Sequence, residues 1–177
     1  TENYGEARRI NAGSPEPLWT GGFNTELSWK GISLGIQLEA RYGNKVLNQD
    51  RSLFEADGSY GDSNIWKGAM NYWKKPGDTN VLPKPVYNNS SNSSAISTRY
   101  LEDGSYLRIK DITLAYSLPS KWTKKALMSG VRIYASALNL YTFHNMNYWD
   151  PEHGTSGATI ISYPMTRSMI VGVDITF

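Results

Sequence analysis

Residues able to carry out covalent chemistry are scarce in this chain. It has two histidines, His144 and His153, and no cysteine, which excludes thiolate nucleophiles, disulfides and cysteine-bound zinc. A Ser/His/Asp relay would need one of those two histidines. The run GTSG at 154–157 lacks the spacing of a nucleophile elbow, and neither a P-loop nor HExxH occurs. The stretch WDPEH brings Asp150, Glu152 and His153 together, a set that suits a hard cation. Asp-Pro is also ordinary turn chemistry, and a polar turn is the preferred reading. No catalytic residue, cofactor or metal site is expected.

Non-covalent recognition has better material. The 177 residues include 12 Tyr, 6 Trp and 4 Phe, so the amphipathic rings suited to wet–dry boundaries greatly outnumber phenylalanine. Trp66, Tyr72, Trp73, Tyr148 and Trp149 lie in polar connecting segments, where flat rings can stack on sugars or peptide side chains. Nearby Asn and Asp could orient hydroxyls. The same rings could instead pack their own loops or meet a partner protein. A net charge of +2, from 18 basic and 16 acidic residues, argues against nucleic acid.

Five alternating segments must position these loops. Thr20–Trp29 places Phe23, Thr25, Leu27 and Trp29 on one side, and Ile32–Tyr42 places Ile32, Leu34, Ile36, Leu38, Ala40 and Tyr42 likewise. Only Lys30 and Gly31 separate them, as in a tight hairpin. A polar connection runs from Gly43 to Asp103. Within it, Asn64–Lys75 reads as a short amphipathic helix capped by Ser63, with Ile65, Trp66, Ala69, Met70 and Trp73 as its stripe. The third strand, SYLRIKDITLAYSLP, shifts phase between Ile109 and Ile112, which predicts a bulge near Lys110 and Asp111. A basic link, Ser120–Gly130, leads to the fourth strand at Val131–Phe143, whose facing is obscured by Tyr134, Leu138 and Leu140. The fifth, Arg167–Phe177, aligns Met169, Val171, Val173, Ile175 and Phe177.

No Asp, Glu, Lys or Arg falls on the apolar faces, whereas Glu26, Glu39, Arg41, Asp111, Arg132 and Asp174 fall on the others. A soluble, secreted β-sandwich that binds carbohydrate would show the same split. Strand length argues for a membrane barrel: about 9 to 11 tilted residues cross a bilayer, whereas globular strands average about 5 to 6. Short and long connections also alternate, and Phe23, Trp29, Tyr42, Phe143 and Phe177 suit interfacial girdles. Five strands cannot close a barrel, and an open sheet in lipid leaves unpaired edges. The chain therefore reads as the C-terminal part of a large antiparallel transmembrane β-barrel, all-β in class, with no plug or N-terminal domain.

Several stretches carry a family resemblance: GSPEPLWTGGFNTELSWKGISL, YGNKVLN, SSAISTRYLEDGSYLRIKDITLAYSLP, VRIYASALNLYTF followed by YWDPE, and YPMTRSMIVGVDITF. In order and spacing the chain resembles the C-terminal end of SusC/RagA-type TonB-dependent outer-membrane transporters, the nutrient importers of Bacteroidota. Leu138 and Met165 depart from the usual pattern, where a polar residue and a proline are more common. The resemblance implies a 22-stranded barrel in the bacterial outer membrane, TonB acting through an absent N-terminal region, a SusD-like surface lipoprotein and a glycan or oligopeptide cargo. It also implies that 43–103 and 144–166 lie outside the cell. The alternating Met169 to Phe177 would then be the signal read by barrel-assembly machinery. Glu39 and Arg41 are expected to pair with the plug or each other.

Overall fold

A computed structural model describes residues 3–60, 64–79, 81–91, 93–152, 157–160 and 163–177. Its main body is a five-stranded antiparallel sheet in the order β1 (Trp19–Trp29), β2 (Ile32–Tyr42), β5 (Tyr106–Ser117), β6 (Gly130–His144), β8 (Ser168–Thr176). All five expected strands form, with ends within one or two residues of their sequence limits. The hairpin closes through Lys30 (φ 47°) and Gly31 (φ 87°), the two left-handed residues that let a two-residue turn follow the twist of its strands. A Cβ on Gly31 would lie 2.8 Å from the Ser117 carbonyl oxygen, so β5 needs that glycine as well.

Register carries each apolar residue onto its neighbours' apolar face. Leu27 lies opposite Leu34, Leu34 opposite Leu114, Leu114 opposite Ala135, and Ala135 opposite Val171. Among the described residues nothing covers this ladder, and Met169 and Val171 are 81% and 78% exposed. A sandwich would bury that face under a second sheet; here the sheet is a single layer, as barrel wall requires. Trp19, Tyr42 and Phe143 mark its loop end, and Trp29 and Phe177 the opposite end. Phe23 does not reach the rim: it pairs with Leu38, four positions in from Trp19.

The predicted bulge is present. Gln37 and Leu38 face Asp111 and Ile109, which leaves Lys110 extra on β5. Across the other edge Ile109 meets Tyr141 and Asp111 meets Leu138, with Asn139 left-handed at φ 51°. This settles β6: Val131, Ile133, Ala135, Ala137, Tyr141 and Phe143 belong to the apolar ladder, while Tyr134 and Leu138 face the polar side. Tyr134 fits there because its ring lies over Gly172, where a Cβ would sit 2.4 Å from Cζ.

The connections 43–105 and 144–167 meet at one end of the sheet, and most of the buried residues belong to them. A small sheet of β4 (Leu101–Asp103), β3 (Lys45–Asn48) and β7 (Ala158–Thr159), together with α1 (Asp50–Phe54), encloses Val46, Ala56, Tyr100 and Met146. The helix expected over 64–75 does not form. Only Lys67–Met70 makes a 3₁₀ turn, because the chain pairs with another segment instead: Trp73 N–H donates to the Leu82 carbonyl (2.8 Å) and Leu82 N–H to that of Asn71 (3.0 Å). The intended stripe splits, with Ala69 buried and Met70 exposed, and Ser63, its proposed cap, lies outside the described residues. At the other end α2 (Ser120–Thr123) joins β5 to β6.

Val171→Arg places a cation in mid-strand on the apolar face and is expected to cost about 2 to 4 kcal/mol in lipid. The amount of folded barrel, measured by heat-dependent gel shift, should fall severalfold, whereas Gly172→Ser on the opposite face, where only the Tyr134 ring must move, should lower it less.

Candidate functional site

The polar face of β2 and β5 near the loop end concentrates charge. Register places Glu39 opposite Arg108 and Arg41 opposite Tyr106, and the bulge turns both Lys110 and Asp111 to the same side. Arg108 is fully buried. Its Nε donates to Thr142 Oγ1 (2.9 Å), and its two terminal nitrogens donate separately to Asp150 and Glu152. Lys110 Nζ bridges Glu152 Oε1 and Glu39 Oε2, each at 3.1 Å, and Tyr106 donates its hydroxyl to Glu39 Oε1 (2.7 Å). The carboxylates of the WDPE turn thus serve the protein's own guanidinium and ammonium. The Glu152 N–H donates to Asp150 Oδ1 (2.9 Å), the Asp-Pro turn that the sequence suggests, and the same carboxylates also hold the two cations; His153 lies outside the described residues.

A second network ties the same loop to the long connection. Arg51 grips Glu55 with two bonds (Nε–Oε1 2.8 Å, Nη2–Oε2 2.9 Å) and reaches Glu102 Oε1 at 2.8 Å. Glu102 then accepts the Asn147 backbone N–H (2.8 Å) and side-chain amide (3.0 Å). Burial works to lower the Arg51 pKa, but the bonds and charges of Glu55 and Glu102 outweigh it and raise it. Burial also raises the Tyr148 phenol, helped by its 3.0 Å hydrogen bond to Glu55.

Of the five candidate ligand residues, the fold joins two. Trp66 and Tyr148 stand edge to face, centroids 4.4 Å apart, although they are far apart in sequence. Trp149 follows directly and lines, with Arg108, Asn139, Thr142, His144 and Arg167, a cavity of about 310 Å³ between wall and loop. Tyr72 belongs elsewhere, beside Ile65 and Leu82, and Trp73 is held through its backbone to Leu82. Among the described residues no ring contact links either to the Trp66–Tyr148 pair. Residue types alone missed Arg51, Glu102 and Arg108. The available signal was an arginine on the polar phase of a strand and, in a separate loop, two carboxylates spaced by a proline. Glu39 and Arg41 do not pair directly: Glu39 holds Lys110, and Arg41 lies over the Tyr106 ring, 5.8 Å from its centroid.

Sheet, bulge and loops together match known outer-membrane proteins. TonB-dependent receptor P3 of Formosa agariphila is 31% identical over 97% of the chain, and receptor P26 of the same organism is 27% identical over 93%. The RagAB peptide importer superposes in its closed-closed state over 94% of the chain with a TM-score of 0.80 and 31% identity, and in its open-open state with 0.79 and 29%. This chain is a segment of a TonB-dependent receptor. No family model matches it. The receptor segment spans 17% of the length of those two curated relatives and 18 to 19% of the importer chains. Its apolar ladder is wall of an outer-membrane β-barrel.

Two outcomes follow for the receptor's loops. Arg51→Met leaves Glu55 and Glu102 facing each other nearly buried, and should destabilise the loop network by about 3 kcal/mol. Limited proteolysis within 43–105 and 144–160 should accelerate while the barrel keeps its heat-dependent gel shift. Asp103 provides a pH test. The Ser105 hydroxyl (2.6 Å) lowers its carboxyl below the ordinary 3.8, against burial and with help from the Ser105 N–H and Lys45. A folded pKa below the unfolded one stabilises fully above the ordinary value, and the gain is lost as pH falls through the depressed value. The stability gap between wild type and Asp103→Asn should therefore be open at about pH 5 and close as pH falls below the depressed value.

Proposed function

We propose that the whole receptor imports an oligopeptide or oligosaccharide nutrient across the outer membrane, driven by TonB and working with a SusD-like surface lipoprotein. The observation that carries this reading is the common match of the wall and its loop cap to the RagAB peptide importer. A protein matching in strands alone would share only barrel architecture. Here the loops over the polar face, where cargo would enter, are covered by the match as well.

In this reading, cargo meets Trp66, Tyr148 and Trp149 from outside and crosses the barrel once TonB has displaced the plug. Tyr72 and Trp73 stay as weaker candidates. Nothing in the step breaks a covalent bond of the cargo. The run from Met169 to Phe177 serves assembly: its uninterrupted apolar alternation ends in an aromatic, and shortening it should lower the amount of folded barrel rather than affinity. Resemblance to a peptide importer makes oligopeptides the first cargo to test.

Cells producing the whole receptor, a receptor deletion and a strain without TonB are given fluorescently labelled tryptic casein peptides and labelled oligosaccharides. Uptake of one class should need both receptor and TonB. Equal uptake of both classes in all three strains, or release of the receptor into buffer without detergent, would overturn the reading.

A further inference from the structure

We propose that Arg108 is a positioning residue: from inside the barrel wall it holds the 144–152 loop so that Tyr148 is locked against Trp66 as a fixed aromatic platform for cargo. This deepens the import reading above and rests on it.

The starting observation is backbone geometry. Tyr148 has φ 68°, a left-handed region in which a bulky residue is rare and strained. Such a conformation persists only where its surroundings impose it. Here they do so from both sides. One residue earlier, Asn147 is tied by backbone and side chain to Glu102. Two and four residues later, Asp150 and Glu152 are held by Arg108. The loop is anchored to the cap on one side and the wall on the other, and Tyr148 stands between the anchors at the centre of a tight turn closed by the Trp149 N–H, which donates to the Asn147 carbonyl (2.8 Å).

The ring itself is fixed at both ends. Its hydroxyl donates to Glu55, and its face or edge meets Trp66 at 4.4 Å. Trp66 in turn is set by its backbone N–H, which donates to the Phe54 carbonyl (2.8 Å), and by Gly68 beneath it. A Cβ on Gly68 would lie 1.9 Å from Trp66 Cζ3, so the indole occupies the space that any other residue would fill. Despite these ties the pair is not buried: Trp66 is 48% and Tyr148 38% exposed. Two rings held so closely while presenting open surface are prepaid in conformational entropy, which is the condition for tight recognition of an apolar or ring-bearing cargo.

Arg108 is the distinctive element because it sits on the wall rather than the loop. Two carboxylates neutralise a guanidinium without water access, and neither can leave without exposing a buried charge. The anchor is therefore stiff, and the platform's place is defined relative to the barrel.

The test uses the whole receptor with its lipoprotein in native outer membrane, with labelled tryptic casein peptides as probe. Arg108→Met, Arg108→Lys, Gly68→Ala and Tyr148→Ala are compared for folded amount by gel shift, for proteolysis of 144–160, and for half-saturation and maximal rate of uptake. Arg108→Met should speed loop cleavage and raise half-saturation at least about fivefold with maximal rate changed less than twofold, and Arg108→Lys should recover part of both. Gly68→Ala and Tyr148→Ala should raise half-saturation similarly, with Gly68→Ala leaving loop cleavage at the wild-type rate.

Unchanged half-saturation in Gly68→Ala and Tyr148→Ala overturns the platform, whatever Arg108→Met does. Unchanged loop cleavage in folded Arg108→Met overturns the anchor. Should Arg108→Met not fold, Arg108→Lys decides the anchor by the same two readings. Wild-type receptor that imports no peptide refutes the peptide import reading instead, and the cleavage rates still decide the anchor.

Discussion

Arg108 lies on the polar face of a strand whose other face is dry, with no water of its own to solvate the guanidinium. A cation in that place needs anions brought to it, and the chain brings Asp150 and Glu152 from a loop more than forty residues away. That pairing joins wall to cap. Around it stand Thr142 on the next strand, Lys110 at the bulge and Glu39 on the previous strand, so three neighbouring strands and one loop share one electrostatic centre. Removing the carboxylates from Arg108 would leave a fully buried charge without its partners, and for that reason this part of the arrangement resists opening.

The bulge gives this centre its shape. An uninterrupted β5 would alternate, and Lys110 and Asp111 could not both face inward. The extra residue lets Lys110 join the cluster with Arg108, while Asp111 accepts hydrogen bonds from Thr113 and Ser136 farther along the wall. It also restores the outward phase for Ile112, Leu114 and Tyr116, so lipid meets an unbroken apolar ladder on both sides of the irregularity. One local insertion thus serves both solvents of the sheet.

Much of the wall was legible from alternation alone, because a strand between lipid and lumen must sort its side chains with period two, and polar residues on the wrong phase are costly. The strand ends, the tight hairpin and the bulge near Lys110 all came from that pattern. The loops were not legible in the same way. Asn64–Lys75 has the spacing of an amphipathic helix, yet a glycine under Trp66 and backbone bonds to Leu82 drew it into a turn and a bridge. Local periodicity counts only the segment's own residues, while Leu82, the competing partner of Asn71 and Trp73, lies beyond the segment's end.

The sequence by itself determined the dry and polar faces of four of the five strands and the poverty of catalytic groups, since each of these depends on residue type and short-range spacing. Only the tertiary structure decided that Asp150 and Glu152 bind an arginine, that Trp66 meets Tyr148 while Tyr72 and Trp73 do not, and that Tyr134 turns inward over Gly172. Those outcomes depend on which distant segments the sheet brings to one end, and on the volume and charge already there. No window of neighbouring residues contains that information.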